Sequence, residues 1–137
     1  MSIEENKNIV RRYQEIYNSN NLDNLLEVVS EDLLTPKIMA GIPHGIEGAK
    51  AAHQIMLAGF PDYQTVIDDL VAEGDKVAAR ITMSGTNTGS FMGIPPTGKF
   101  ISFTGMYIAR IANGKIVEHW GEEDGVSLLM QLGALKM

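Results

Sequence analysis

His119 is the residue best suited to acid–base chemistry in this chain. An imidazole with an unperturbed pKa of about 6.5 can accept or release a proton near neutrality. His119 lies in an alternating stretch, Lys115 to Trp120, that reads as a strand. The strand before it, Phe100 to Ala112, carries Tyr107, and the two meet at Asn113-Gly114. That turn admits two registers. A two-residue loop pairs Ala112 with Lys115 and sets His119 opposite Ile108. A three-residue loop, with Gly114 left-handed, pairs Ile111 with Lys115 and sets His119 opposite Tyr107. A slip of one residue exchanges inside and outside. The longer loop is preferred, because it places Arg110 and Glu118 on one face as diagonal neighbours of opposite charge. It also gathers Phe103, Gly105, Tyr107, Ala109, Val117 and His119 on the other face. Asn87 shares the parity of Val77, Ala79, Ile81, Met83 and Gly85 in its own strand, and so can join them. A few polar groups converging on an apolar lining is the usual form of a small-molecule site. Alternation beyond His119 would carry Glu123 to the mouth of that site, unless Gly121 breaks the strand first.

Each of these residues also has a plainer reading. A lone histidine on an apolar face is often a satisfied core residue, and a buried tyrosine commonly just bonds a backbone carbonyl. Asn87 reads equally as a polar strand end, and Glu122-Glu123-Asp124 as a solvated acidic turn. Tyr13 and Tyr17 can cover the pocket or form an ordinary helical core stripe. The expected lining is Tyr13, Tyr17, Phe60, Met83, Met92 and Phe103, with Met106 a further adaptable contributor. His44, between Pro43 and Gly45, is expected in solvent, and His53, one residue past Ala52, at the surface or rim.

The elements that must position these groups fall into two halves. Ser2 and Glu5 form a capping box, followed by Ile9, Val10, Tyr13, Ile16 and Tyr17 at helical spacing. Asn18 to Asn21 ends that helix. A second, shorter helix carries Leu22, Leu25, Leu26 and Val29. Pro36 forbids helix through it, so Thr35 to Ala40 is expected to be extended. A third helix runs from about Ile46 to Ala58, with Ala49, Ala52, Ile55 and Met56 inward. From Asp62 the period becomes two. Strands are expected at Tyr63 to Ala72, Lys76 to about Thr88, Phe100 to Ala112 and Lys115 to Trp120, with a shaped loop over Gly89 to Lys99. A short helix around Gly125 to Leu132 closes the chain, with Asp124 as its N-cap. Helices first and an antiparallel meander second indicate a single α+β domain over residues 1–137. A long, twisted sheet curled around the helices can enclose a pocket.

Composition removes whole classes of function. With 11 Lys and Arg against 17 Asp and Glu, the net charge is −6. An acidic chain without a basic run repels phosphate backbones, which argues against nucleic acid and anionic membranes. Cysteine is absent, so there are no disulfides, thiolate nucleophiles or cysteine-ligated metals. The histidines at 44, 53 and 119 show no metal-ligand spacing, and no G-x-S-x-G elbow occurs. No apolar run approaches a membrane span. The polar, acidic MSIEENKN start is unlike a secretion signal, so the expected location is the cytoplasm.

Gly59 to Asp62 (GFPD), Asp69 to Asp75 (DLVAEGD), Gly85 to Gly89 (GTNTG) and Phe91 to Gly98 (FMGIPPTG) form an ordered run. It continues through Phe103 to Gly105 (FTG), Gly114 to Trp120 (GKIVEHW), Asp124 and Gln131 to Gly133 (QLG). This run resembles the SnoaL-like polyketide cyclases, or ester cyclases, of the nuclear transport factor 2-like superfold. The match is close over the second half of the chain and one of layout over the first. The resemblance implies a curved sheet packed on helices as a cone with a deep pocket, and a homodimer or homotetramer. It implies intramolecular aldol condensation of a polyketide-like, apolar carbonyl compound, with no metal or organic cofactor. In those cyclases the acid/base is an aspartate two residues after the histidine of the last strand; Gly121 stands there. The histidine of the family's GTHTG version is Asn87, and the cyclase histidine of the preceding strand matches Tyr107. The chemistry then falls to His119 as general base or orienting group, to Tyr107 and Asn87 as donors to the oxyanion, and to Glu123 at the mouth. Asp124 matches a frequent family aspartate. Gly121 leaves two rival readings: a ligand carrier that has lost its catalytic group, or another proton-transfer reaction, such as isomerisation or hydrolysis, on the same scaffold.

Overall fold

Helix α1 (Ile3–Ser19) begins at the reciprocal cap. Glu5 N–H donates to Ser2 Oγ at 3.0 Å and Ser2 N–H to Glu5 Oε1 at 3.1 Å. It ends at Asn20, whose φ of 62° is left-handed and whose N–H bonds the Tyr17 carbonyl. The structure, a computed structural model, describes residues 2–36 and 40–136. The remaining elements are a 3₁₀ turn (Leu22–Glu27), β1 (Val29–Leu34), α2 (Ile46–Gly59), β2 (Gln64–Glu73), β3 (Lys76–Thr86), β4 (Phe100–Ala112), β5 (Lys115–Glu123) and α3 (Gly125–Gln131).

Two expectations for the first half need correcting. Leu22 to Val29 is not an α-helix: Leu22 and Leu25 are buried in the 3₁₀ turn while Leu26 is exposed. The next segment is a strand, β1, which pairs in parallel with β5 through Val29–Ile116 and Leu34–Glu118. Its centre, Ser-Glu-Asp, is polar because only one edge of β1 is paired and much of it faces water. Of the expected extended stretch from Thr35 to Ala40, residues 37–39 lie outside the described residues, and Thr35 and Pro36 follow the end of β1.

The sheet order is β1-β5-β4-β3-β2, antiparallel except at the β1 edge. Alternation is strict along β4, where Ile101, Phe103, Gly105, Tyr107, Ala109 and Ile111 are buried. Together with Val77, Ala79, Ile81 and Met83 of β3 they form the concave floor, and α1 crosses it against β2, β3 and β5. Asn18 clips α1 to β2: its Nδ2 donates to the Thr65 carbonyl at 2.8 Å and its Oδ1 accepts from Thr65 N–H at 2.9 Å. Register shifts at Asp68 in β2 and Val117 in β5 insert one extra residue each. Such bulges increase local twist, which curls the sheet around the helices without closing it.

The hairpin register matches neither expected version throughout. Asn113 and Gly114 both have positive φ, 51° and 75°, and make a two-residue turn that pairs Ala112 with Lys115. The bulge at Val117 then shifts the pairing, so that Arg110 lies opposite Glu118, Ala109 opposite His119 and Tyr107 opposite Gly121. The preferred three-residue loop is therefore wrong. The facing it served is present at Glu118 and His119, because one bulged residue restores the parity that the shorter turn removes; before the bulge Ile116, and not the expected Val117, packs inward opposite Ile111. Arg110 Nε donates to Glu118 Oε1 at 3.1 Å as a direct cross-strand pair. On the outer face Phe100, Met106 and Ile108 are exposed, so Met106 points away from the interior.

Candidate active site

The concave sheet, α1 and α2 line a cavity of about 490 Å³ that opens to solvent. Ile81, Met83, Tyr107, His119 and Gly121 supply the sheet wall; Tyr13, Gln14 and Tyr17 come from α1. Ala49, Ala52, His53 and Met56, at helical spacing on α2, form the opposite wall, and Tyr63, Thr65, Glu122 and Glu123 are among the other lining residues. A second hollow, of about 470 Å³ and polar, lies beside Arg11 and Ile67 to Leu70. The imidazoles and phenols converge only on the first.

An aromatic belt runs around this cavity. The His119 ring lies 4.7 Å from Tyr107 and 5.8 Å from Tyr13; Tyr13 contacts Tyr17 at 4.9 Å, Tyr17 contacts His53 at 5.0 Å, and His53 approaches Tyr63 at 5.9 Å. The Tyr13–Tyr17 and Tyr17–His53 contacts are edge-to-face and the other three tilted; such contacts favour particular ring orientations. The Tyr107 hydroxyl donates to Gln14 Oε1 at 3.2 Å, within a buried pair. Burial raises the Tyr107 phenol well above its usual pKa and pushes that of Tyr17 up to about 12, so both stay protonated donors. The His119 residue is only half-buried, yet its surface faces the cavity and its ring is surrounded by phenols. Desolvation therefore lowers its pKa to about 4, opposed only by a hydrogen bond with its own backbone. At neutral pH the imidazole is uncharged and holds a free lone pair.

The cavity brings together His119, Tyr107, Glu123, Tyr13, Tyr17 and Met83, as expected. Strand β5 continues unbroken past Gly121, which carries Glu123 to the mouth near Tyr63. Asp124 caps α3, accepting from Ser127 N–H at 3.0 Å, and His44 is exposed and bonded to Thr35.

Asn87 does not belong to the cavity. It is fully buried one residue beyond the end of β3, with Nδ2 donating to the carbonyls of Gly59 and Gly89 at 3.1 and 3.0 Å. Its Oδ1 accepts from Thr97 N–H at 2.8 Å and Thr97 Oγ1 at 2.9 Å. The amide is saturated and staples the loop over residues 89–99 to the end of α2. Phe60, packed on Phe91 at 5.4 Å, and Phe103 are core residues, and Met92 is exposed on that loop; none of the three lines the cavity. Close packing explains the glycine in the loop: a Cβ on Gly89 would lie 1.9 Å from the Ala58 carbonyl oxygen.

His53 corrects the expectation in the other direction. It is buried and lines the cavity, and burial lowers its pKa. Its spacing from Ala49 and Met56, four and three residues, was the available signal; its place one residue past Ala52 argued for the surface. Gln14 carries the same signal between Val10 and Tyr17, and Tyr63 stands immediately before β2, two residues after Pro61. Among the described residues no cluster of His, Asp or Glu could hold a metal, and no helix is long and apolar enough to cross a membrane.

The two depressed histidines make stability depend on acidity. Between pH 6.5 and about 4 the unfolded chain binds a proton on His119 that the native protein does not, so stability rises with pH in that window and falls on acidification. The loss from His119 is at most about 1.4 kcal/mol per pH unit, with His53 acting in the same direction. Urea midpoints should fall from pH ~7 to ~5; a flat profile would mean that neither ring is desolvated.

The sequence profile of the SnoaL-like polyketide cyclases matches residues 7–132. The chain is 29% identical over 129 residues to aklanonic acid methyl ester cyclase DauD of Streptomyces sp. (strain C5), covering 91% of this chain and 80% of that one. It is 31% identical over 122 residues to nogalonic acid methyl ester cyclase of Streptomyces nogalater, covering 85% and 89%. Among solved structures, TsrD from Streptomyces laurentii superposes with a TM-score of 0.87 at 32% identity, over 98% of this chain and 99% of that one. A curved, unclosed sheet on N-terminal helices, an aromatic cavity and these likenesses lead to one assignment: the chain belongs to the SnoaL-like polyketide cyclase family and is a polyketide cyclase-like enzyme.

Proposed function

We propose that this protein closes a ring in a polyketide-like carbonyl compound by intramolecular aldol condensation, with His119 as the acid/base. The observation that carries this reading is the uncharged imidazole of His119 at the cavity wall, beside the position of Gly121. A neutral ring nitrogen removes a proton alpha to a carbonyl. The enolate carbon then attacks an aldehyde carbon of the same molecule, and the imidazolium returns the proton to the new alkoxide. Atoms balance and the mass is unchanged. A conjugated substrate spreads the enolate charge, so the protein supplies mainly orientation, a proton acceptor and a dry site.

The amide role expected of Asn87 passes to Gln14. Its Oε1 accepts from Tyr107, and its Nε2 has no hydrogen-bond partner among the described residues. The one enclosed side-chain polar atom without a partner there is Asn6 Oδ1, so Gln14 Nε2 keeps an open face in the cavity. An amide N–H held by a buried phenol is a preorganised donor for a developing oxyanion.

Gly121 provides the test. A Cβ there would meet His119 Cε1 at 3.5 Å and Tyr107 Cβ at 3.8 Å, ordinary contacts, so an aspartate side chain starts without a clash. The probe is nogalonic acid methyl ester, after the name of one relative. Purified protein without added cofactor should convert it to an isomer of equal mass and altered chromatographic retention, and Gly121→Asp should do so faster. Conversion by Gly121→Asp alone would instead make the natural protein a carrier. No conversion by either form would remove ester cyclisation as its reaction.

A further inference from the structure

His53 is a second polar centre in the cavity, separated from His119 around the aromatic belt by two tyrosine rings, Tyr13 and Tyr17. Nothing in the proton transfer described above uses it. Its Nε2 stands 3.0 Å from Oδ1 of Asn20, the left-handed residue that caps α1. An amide oxygen only accepts, so the ring proton is on Nε2 and the lone pair on Nδ1. The partner is itself fixed, because the Asn20 backbone closes the helix through Tyr17. Edge-on contact with Tyr17 and the approach of Tyr63 fix the ring plane.

The other nitrogen is unused. Nδ1 has no hydrogen-bond partner among the described residues, and it is not one of their enclosed unpaired atoms. The residue is almost completely shielded from outer solvent yet lines the cavity, so Nδ1 is accessible from inside. Its lone pair is an acceptor with a set tautomer and direction at the α2 wall. The phenols around it are protonated donors, and an imidazole lone pair supplies the complementary acceptor that they lack.

We propose that His53 is a specificity-determining residue: its Nδ1 accepts a hydrogen bond from a hydroxyl group, phenolic or enolic, on the part of the ligand that lies away from His119. The preferred ligand is then an apolar ring system with a hydroxyl at that end. An analogue lacking the hydroxyl leaves a buried acceptor unpaired, and methylation of the hydroxyl removes the donor altogether. This inference rests on the cavity being a ligand site. Its test reads binding and not turnover, so its failure would leave the assignment of His119 standing.

The probes are 2-naphthol and 2-methoxynaphthalene, the same rings with and without a donated proton. The natural protein should bind 2-naphthol about tenfold more tightly, and His53→Phe, which keeps an aromatic ring on α2, should reduce that preference to about twofold or less. Nitrogen-15 spectra of the natural protein give a reading without any variant. The free protein should show His53 protonated on Nε2, with an Nδ1 resonance that moves with 2-naphthol and not with its ether. An unchanged preference in His53→Phe would overturn the proposal. So would a proton on Nδ1 in the free protein, or a hydroxyl-dependent shift confined to His119.

Discussion

His119→Ala is expected to lower kcat by at least about 100-fold on any substrate the protein converts, with KM changed no more than about threefold. Removing a general base typically costs 10²–10⁴-fold. The ring contributes contacts with Tyr107 and Tyr13, but the substitution enlarges a space that is already hollow, so the fold should survive. Circular dichroism checks that point. Steady-state kinetics then separate the roles: a ring that only shapes the cavity would raise KM and spare kcat. Unchanged turnover would remove His119 from the chemistry and leave Glu122 and Glu123, which also line the cavity from that strand, as candidate acid/bases.

Asn87→Ala is expected to have the largest effect on stability and little effect on the reaction itself. The substitution empties a fully buried position, leaves the Gly89 carbonyl and the Thr97 N–H without their side-chain partner, and takes one of two donors from the Gly59 carbonyl, which keeps the Gly89 N–H. An unpaired buried group costs about 1–3 kcal/mol, so a loss of about 2 kcal/mol and a fall in Tm of roughly 8 °C follow for a chain of this size. Activity per folded molecule should stay within about twofold. A catalytic Asn87 would give the opposite pattern, with Tm nearly unchanged and kcat reduced.

These two residues show what the sequence could and could not reveal. Inner parity brings His119 and Tyr107 to one wall, and the same parity extended along β3 assigns Asn87 to that wall too. The argument holds only while the strand lasts. β3 ends at Thr86, and one residue later the chain has left the sheet, so Asn87 is buried by a loop and not by the pocket. Parity reports facing within a ladder and says nothing about the loops that follow it.

The hairpin teaches a related point. The Asn113-Gly114 turn admitted a two-residue loop, the charge pair favoured the opposite parity, and both are present because Val117 bulges. A bulge has no reliable local signal, so only the conflict between the two indicators marked it. β1 escaped notice for a different reason: an edge strand with a polar centre lacks the alternation by which strands are read. His53 was assigned to the rim because it directly follows Ala52, and Gln14 was not singled out because only the apolar residues of the first helix were read as its inner stripe. Their spacing placed each on the inner stripe, and a cavity, unlike a filled core, gives a polar side chain on such a stripe something to face.

The desolvated character of the His119 site is open to direct measurement by carbon-13 and nitrogen-15 NMR of the imidazole during a pH titration of the unliganded protein. Desolvation predicts a ring that is still neutral at pH ~5.5, where an ordinary histidine is mostly protonated, and that protonates only as the pH approaches about 4. Titration near 6.5, as for a solvated imidazole, would place the ring in water and contradict the account.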